Sequence, residues 1–339
     1  MSAIRVRNLS KSFKRPIRTS GLRGAIQDLL HRRYEEKKAV DDLSFDIPQG
    51  EIVGYLGPNG AGKSTSIKML VGILVPTSGD VTINGLVPYR NRAATARGIG
   101  VVFGQRSQLW WDIPVSETFQ LMKYMYKIPD NRYKRNIELF ADVLGIQEFM
   151  HVAVRQLSLG QRMRADLCAA LLHNPSIVFL DEPTIGLDVV VKKKIREFLL
   201  EVNAEYKTTI LLTTHDMQDV EKLCSRIILI NNGTKAFDGP LERMKTEFGA
   251  GETLSVQVEG AVENWDGLRL LGVGDYRYDP ESSTLTVRYD KRESNPAQLL
   301  SWIMGRASVV DFTVKPPEVE DIIRAMYTNP ARPVLQEVL

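Results

Sequence analysis

Short apolar runs, separated by polar and helix-like stretches, mark the first 240 residues of the chain. Four of these runs are five or six residues long and apolar at most positions. Such runs are typical of strands that are buried on both faces of a parallel sheet. The four runs are Glu51–Leu56, Ile99–Phe103, Ile177–Glu182 and Thr209–Thr214. A helical pattern, Arg162–His173, lies between the second and the third, and this alternation predicts an α/β fold.

The pattern changes after Pro240. Three segments alternate between apolar and polar residues as half-buried strands do. These segments are Leu254–Val258, Thr284–Tyr289 and Val309–Val314. Two others, Pro296–Ile303 and Pro317–Tyr327, have the pattern of helices. We therefore predict a small α+β domain at residues 250–329, without a catalytic constellation, followed by a tail at residues 330–339.

A glycine-rich loop follows the first apolar run. The sequence Gly57-Pro58-Asn59-Gly60-Ala61-Gly62-Lys63-Ser64-Thr65 matches G-x-x-x-x-G-K-[ST], whose backbone N–H groups curl around a phosphate chain. Residues Ser66–Val71 have a helical pattern, so the phosphates would lie at a helix N-terminus. Lys63 is expected to reach the terminal phosphates, and the Ser64 hydroxyl to hold magnesium. The predicted nucleotide-binding residues of this loop are Gly57, Asn59, Gly60, Gly62, Lys63, Ser64 and Thr65.

Further polar motifs lie beside the other apolar runs. Asp181 and Glu182 end the third run, where they are placed to bind magnesium through its water shell and to polarise an attacking water. Gln105 follows the second run, and His215 follows the fourth. The segment Leu157-Ser158-Leu159-Gly160-Gln161 precedes the helical pattern. The glutamine, the histidine and this segment are weak signals singly, but five motifs in this order are hard to obtain by chance.

This order of motifs resembles that of the ATP-binding subunits of ABC transporters, and the resemblance covers residues 3–240. It implies an α/β fold, namely a P-loop ABC ATPase cassette at residues 1–245. This cassette would contain a mixed core sheet, an antiparallel β-subdomain and a helical subdomain near residues 106–165. With the second segment of the chain, the predicted fold class is this cassette followed by a small C-terminal α+β domain. The cofactors that the resemblance implies are ATP and magnesium.

The resemblance also implies roles for single residues. Glu182 would act as general base or water-orienting group, with His215 and Gln105 as further catalytic residues. The implied magnesium ligands are Ser64, Gln105 and Asp181. The glycine-rich loop Gly57–Thr65 is the P-loop of the family. The implied nucleotide contacts outside it are Phe13, Ser158, Gly160, Gln161 and Asp188. Residues Leu157–Gln161 match the signature motif of the family. One departure is visible, since Leu159 stands where the family usually has glycine.

In this family a signature helix does not reach the P-loop of its own chain. The resemblance therefore implies that Ser158 and Gly160 complete the site of a second copy, with two ATP molecules enclosed between the two chains. The implied partners are this second copy and two copies of a membrane-spanning permease, and no nucleic acid. Because the reaction is phosphoryl transfer to water, positioning and charge neutralisation would carry most of the catalysis.

The composition of the chain limits its possible partners and its cellular compartment. The 44 basic residues nearly balance the 41 acidic ones, so the chain lacks the large excess of positive charge that favours binding to nucleic acid. Cys168 and Cys224 have no zinc-like spacing, which is typical of a reduced cytosolic protein. The N-terminus lacks the apolar region of a signal peptide, and no window approaches eighteen consecutive apolar residues. We expect a cytoplasmic protein that is peripheral on the inner face of the cell membrane through its permease.

Residues 15–38 form an insertion that a minimal cassette lacks. Apolar residues with helical spacing predict a helix here, and they are Leu22, Ile26, Leu29, Leu30 and Tyr34. This basic helix either lies on an anionic membrane surface or a permease, or packs on the β-subdomain of its own cassette. The family stacks adenine on an aromatic ring near the end of the first strand, where Phe13 stands. Tyr34 is the alternative platform, and packing of Phe13 in the core is the other interpretation.

Trp110 and Trp111 lie in the loop after Gln105. In the family this region forms the groove that receives a coupling helix of the membrane subunit, and exposed aromatic anchors suit such an interface. The alternative is that both rings are buried under the helical subdomain.

The direction of transport rests on resemblance alone. Glu182–Asp188 and Phe312–Ile322 resemble segments of bacterial drug, ion and polysaccharide exporter ATPases, so we predict an exporter ATPase. The alternatives are an importer ATPase with a C-terminal regulatory domain and a soluble non-transport ABC ATPase. The last is disfavoured because the chain has one cassette and no long heptad arms between its two nucleotide motifs.

Overall fold

The computed structural model describes residues 2–16, 34–104, 107–248, 251–259, 265–290, 293–315 and 319–328. The chain divides into two compact units, Met1–Pro240 and Leu241–Leu339. The insertion residues Leu22, Ile26, Leu29 and Leu30 lie outside the described residues, as do Gln105 and the tail at residues 330–339.

The first unit contains short strands and helices that alternate along the chain. In chain order these are β1 (Ser2–Pro16), β2 (Tyr34–Pro48), β3 (Ile52–Leu56), α1 (Lys63–Leu70), β4 (Ser78–Ile83), α2 (Arg92–Gly98), β5 (Ile99–Phe103), α3 (Val115–Met125), α4 (Asp130–Leu144), α5 (Leu159–Leu171), β6 (Ile177–Asp181), α6 (Val189–Tyr206), β7 (Thr209–Thr213), α7 (Met217–Leu223), β8 (Arg226–Asn231) and β9 (Thr234–Pro240). Two turns of 3₁₀ helix, Ile146–Phe149 and Val154–Gln156, precede α5.

The core sheet of this unit has the strand order β5-β6-β7-β3-β8-β9. The first five strands in this order are parallel, and β9 is antiparallel to β8. Every residue of β3 and β7 is buried, as the apolar runs predicted. Because β3, β7 and β6 are neighbours, their carboxyl ends bring the P-loop, the residues after Thr213 and the acidic end of β6 to one edge of the sheet.

An antiparallel sheet of order β2-β1-β4 forms the β-subdomain. The antiparallel ladder between β1 and β2 continues to the end of β1 and the beginning of β2, with Phe13 opposite Lys37 and Lys14 opposite Glu36. Tyr34, Lys37 and Lys38, which were predicted to belong to the helical insertion, therefore lie in a strand. Pairing with β1 and the opposite charges of Lys14 and Glu36 outweigh the local helical spacing.

Helices α3, α4 and α5 lie between β5 and β6 in the chain and form the helical subdomain. The edge-to-face contact of Phe140 in α4 with Phe198 in α6, 5.5 Å between ring centroids, packs this subdomain on the core. Helix α5 begins at Leu159, three residues before the predicted start at Arg162. The reason is local, because Ser158 caps the helix.

The second unit contains α8 (Leu241–Phe248), β10 (Glu252–Glu259), β11 (Val273–Asp279), β12 (Thr284–Tyr289), α9 (Pro296–Met304), β13 (Ser308–Lys315) and α10 (Val319–Thr328). A 3₁₀ helix, Asp266–Leu271, precedes β11. The sheet is antiparallel with order β11-β12-β10-β13. Its core includes Leu254, Val256, Leu285, Val287, Leu299 and Ile303. The fold class is thus confirmed: a P-loop cassette with a small C-terminal α+β domain. In the described part of the chain, no helix is long and apolar enough to cross a membrane.

Candidate functional site

The P-loop connects β3 to α1, and its glycines are required by the backbone. Gly62 is the N-cap residue of α1 with φ 103°, a left-handed conformation, and it supplies no side-chain cap. A β-carbon at Gly57 would lie 2.4 Å from the carbonyl oxygen of Ile230 in the neighbouring strand. The helix N-terminus is therefore left without a side-chain cap at the mouth of the loop, which suits an anion.

The side chain of Lys63 is buried inside this loop. Its Nζ donates to the carbonyl oxygen of Gly57 and to that of Pro58, the latter at 3.1 Å. Burial lowers the pKa of Lys63, and the carboxylates of Glu182 and Asp181 oppose that shift. The ammonium group thus lies within the loop that the motif assigns to phosphates, close to two anionic side chains.

Asp181 and Ser64 form an oxygen pair at the edge of the sheet. One carboxylate oxygen, Oδ1, accepts a hydrogen bond of 2.6 Å from the hydroxyl of Thr213. The other, Oδ2, lies 3.5 Å from Oγ of Ser64. The described residues contain no cluster of three or more His, Cys, Asp or Glu side chains that would hold a metal alone. The pair fits magnesium, which binds through one or two protein oxygens and completes its shell with phosphates and waters.

Glu182 and His215 are in direct contact. Nε2 of His215 lies 2.7 Å from Oε1 of Glu182. The backbone of Glu182 is left-handed, with φ 56°, and its N–H donates to the carbonyl oxygen of Thr213 at 3.0 Å. Strained backbone at a non-glycine residue is concentrated at functional sites. Thr213, which sequence analysis did not select, therefore contacts the carboxylate of Asp181 and the backbone N–H of Glu182. Its only sequence signal is a polar residue near the end of an apolar run.

The signature residues form a capping box at the start of α5. Oγ of Ser158 accepts from the N–H of Gln161 at 3.2 Å, and the N–H of Ser158 donates to Oε1 of Gln161 at 2.9 Å. Ser158 and Leu159 are exposed. A β-carbon at Gly160 would be in ordinary contact with Val191 and Leu187, so the glycine faces the first turn of α6 and the loop before it.

Asp188 caps α6 by accepting a hydrogen bond of 2.9 Å from the N–H of Val191. The loop before it carries Gly186 with φ 70°. Exposed apolar side chains flank this cap in the chain, and they are Ile185, Val189 and Val190. Their neighbours Gly186 and Val191 lie against Leu159 and Gly160. We call residues Gly186–Asp188 the D-loop, as in the family that the chain resembles, and the three exposed apolar residues the D-loop surface.

Phe13 and Tyr34, the two aromatic candidates for adenine stacking, are both exposed, by 43% and 51%. Packing of Phe13 in the core is therefore wrong. The ammonium of Lys11 lies 5.4 Å from the centroid of the Phe13 ring. Gln105 lies outside the described residues, and the preceding Gly104 donates its N–H to the carbonyl oxygen of Asp181 at 2.8 Å.

Trp110 and Trp111 are exposed by 43% and 51%, so burial of both rings is wrong. The guanidinium of Arg162 lies 5.6 Å from the centroid of the Trp111 ring. An open groove of about 400 Å³ is lined by Trp111, Arg162, Asp166 and neighbouring residues. Aromatic surface thus borders a concave site between the loop after β5 and the signature helix.

Asp166 is a buried residue that lines this groove. Its Oδ1 accepts from the N–H of Gln108 and from Oγ of Ser107, both at 3.0 Å. Burial raises the pKa of Asp166 to about 6, although these hydrogen bonds and the charge of Arg162 act in the opposite direction. The contact ties the loop after β5 to the signature helix.

Comparison with known proteins identifies the family of the chain. A family model described as ABC transporter matches residues 40–185. The ABC transporter ATP-binding protein NatA of Bacillus subtilis (strain 168) is 36% identical over 217 residues, 63% of this chain and 88% of NatA. The Nod factor export ATP-binding protein I of Burkholderia pseudomallei (strain 1710b) is 33% identical over 295 residues, 86% of this chain and 93% of that protein. Several other relatives are longer, and the chain spans 13% to 41% of them.

Among solved structures, the dimeric post-hydrolysis state of the ATP-binding cassette MJ0796 bound to ADP and Pi is similar, with a TM-score of 0.58 and 26% identity. The match covers 70% of this chain and 98% of the cassette. The chain belongs to the family of ABC transporter ATP-binding proteins. It is thus an ATP-binding ATPase subunit of a transporter.

Proposed function

We propose that this chain is the ATPase of an ABC exporter and that it works as a homodimer with two copies of a membrane-spanning permease. The observation that carries the catalytic part is the contact of Glu182 with His215 at the edge that also holds Lys63 and Asp181. Export is supported by the relative named for Nod factor export, because its similarity extends over 86% of this chain and so beyond the cassette.

In this proposal the triphosphate of ATP lies on the P-loop with Lys63 at its terminal phosphates. Ser64 and Asp181, with Gln105, would hold magnesium, whose positive charge would neutralise phosphate oxygens. Glu182 accepts the proton of the attacking water, and His215 orients the base and contacts the γ-phosphate. The ring of Phe13 stacks on adenine.

A second copy completes each site. Ser158 and Gly160 stand at the exposed N-terminus of α5, where a helix end favours an anion. The D-loop surface beside them carries apolar side chains in contact with solvent, which a partner would cover. Among the described residues no hydrogen bond joins the signature to the P-loop of the same chain. These observations support a split site with Asp188 at the seam.

The permease is proposed to dock at the groove beside Trp110 and Trp111. Both rings are available for contact, and the groove leads to Asp166 and the signature helix. Docking there would link the membrane subunit to α5, which carries Ser158.

Lys63→Ala tests the ATPase site. Removal of the ammonium from the phosphates should abolish hydrolysis of ATP in the presence of magnesium. Lys68→Ala, an exposed lysine on the same helix, is the matched control and should retain the parent rate. A Lys63→Ala turnover within about threefold of the parent would contradict the proposed phosphate contact, since such contacts contribute far more.

A further inference from the structure

A carboxylate that is fully buried lies behind Glu182 and His215. Asp219, in α7, has no solvent exposure. Its Oδ2 accepts from the hydroxyl of Thr184 at 2.5 Å, and its Oδ1 accepts from Nη1 of Arg196 at 2.7 Å. The hydroxyl of Thr214 lies 3.5 Å from Oδ2, at the limit of a hydrogen bond. Because a buried charge requires partners, these groups form one fixed cluster.

The partners of Asp219 come from the two segments that carry the candidate catalytic pair. Thr184 follows Glu182 by two residues, and Thr214 directly precedes His215. Both threonines are buried. One buried carboxylate therefore accepts from a hydroxyl on each of these two segments, at 2.5 Å from Thr184 and at 3.5 Å from Thr214.

Helix α6 supplies the cation of this cluster. Arg196 is nearly fully buried where it meets Asp219. One turn earlier on the same helix face, Nζ of Lys192 lies 2.6 Å from Oδ2 of Asp216, the N-cap residue of α7. The helix that Asp188 caps is thus joined at two consecutive turns to the segment after His215.

We propose that Thr184, Arg196 and Asp219 are positioning residues, which hold Glu182 and His215 in contact and connect their geometry to the helix that follows the D-loop. This inference rests on the proposed roles of Glu182 and His215. A buried ion pair is often replaceable by apolar side chains without loss of stability. We therefore assign to the ion pair of Arg196 and Asp219 the function of holding Glu182 and His215 in place. Its loss should change turnover more than ATP binding.

Thr184→Val removes the hydroxyl and keeps the size of the side chain, whereas Thr184→Ser keeps the hydroxyl and is the matched control. We expect Thr184→Val to lower kcat by about tenfold with KM for ATP within about twofold, because the affected contact acts on the transition state. Thr184→Ser should retain kcat within about twofold, since the hydrogen bond to Asp219 is kept. A folded Thr184→Val protein with the kcat of the parent would overturn the inference.

A second variant exchanges the ion pair itself. Arg196→Met combined with Asp219→Leu replaces two charges by apolar side chains of similar size, which usually preserves folding. This protein should unfold at a temperature near that of the parent and still bind ATP, with kcat lowered as in Thr184→Val. Parental kcat in this variant would also overturn the inference.

The parent and Glu182→Gln, measured in the same assay, separate this inference from the proposed function. An inactive parent, or hydrolysis by Glu182→Gln at the parental rate, would reject the proposed function. An active parent and an inactive Glu182→Gln, together with unchanged Thr184→Val, would reject the positioning cluster alone.

Discussion

The side chain of Leu159 lies against the backbone of Gly186. A β-carbon built on Gly186 would meet Cδ2 of Leu159 at 3.0 Å, closer than such atoms normally approach. Leu159 is the residue that replaces the family's usual glycine in the signature, and Gly186 lies in the loop before Asp188. The departure from the family pattern therefore creates an apolar contact between the first residue of α5 and the loop before α6, both of which we assign to the dimer seam.

This contact predicts that substitutions at Gly186 and Leu159 have non-additive effects on the free energy of unfolding. Gly186→Ala should destabilise the protein by about 1 kcal/mol through its positive φ alone, with an added steric cost from Leu159. Leu159→Ala should remove the steric part, so the double variant should be more stable than the sum of the single effects by about 0.5 kcal/mol or more. Free energies of unfolding in urea measure the cycle.

Gly85 supplies the control for this cycle. It has φ 78°, and a β-carbon there would meet nothing within 4 Å. Gly85→Ala should therefore carry the backbone strain without the contact, and its effect should add to that of Leu159→Ala. Strict additivity in the Gly186 cycle would show that Leu159 does not contact this loop.

Asp166 predicts a pH dependence of stability. Its ordinary pKa of 3.8 is raised to about 6 in the native state, chiefly by burial. Between these values the native state binds more protons than the unfolded chain, so stability falls as pH rises through this window. Asp166→Asn keeps an acceptor for Gln108 and Ser107 and does not titrate. We therefore compare the free energy of unfolding of Asp166→Asn with that of the parent at two pH values. Relative to the parent, the variant should be more stable at about pH 7.5 than at about pH 5, by about 1 kcal/mol. An equal difference at both pH values would contradict the raised pKa.

The tryptophan pair predicts the position of the permease. Trp110→Ala combined with Trp111→Ala should leave ATP binding intact, because neither ring belongs to the P-loop. Complex formation with the co-expressed permease should weaken by about tenfold or more, as loss of aromatic anchors usually does. ATP affinity of the same preparation is the control for folding. Co-purification at the parental level would place the docking surface elsewhere.

The core of the cassette was predictable because its signals are local. Runs such as Ile177–Glu182 are apolar because both faces of the strand are buried, and the acidic end of β6 follows directly in the chain. The start of α5 was misplaced because the cap at Ser158 was not considered. In the second unit, β11 was not predicted, because its sequence Val-Gly-Asp-Tyr-Arg-Tyr-Asp has few apolar residues.

The supporting residues of the site could not be predicted from local pattern. Asp219 occupies a position in a polar helix start that resembles a solvated one, yet it is fully buried. Its partners Thr184 and Arg196 are 35 and 23 residues away in the chain. Only the folded arrangement of β6, α6 and α7 brings them together. For the same reason Tyr34 was assigned to a helix, because its strand partner lies across the insertion.

The central claim is a site shared between two copies of the chain, and Glu182→Gln tests it most directly. The amide keeps the shape of the side chain but cannot accept the proton of the attacking water, so hydrolysis should fall by about 10²-fold or more. ATP and both half-sites remain, and the closed dimer should accumulate. Size-exclusion chromatography with ATP should show Glu182→Gln as a dimer, and adding Ser158→Arg should return it to a monomer. A Glu182→Gln protein that stays monomeric with ATP, or a dimer that Ser158→Arg leaves unchanged, would contradict the shared site.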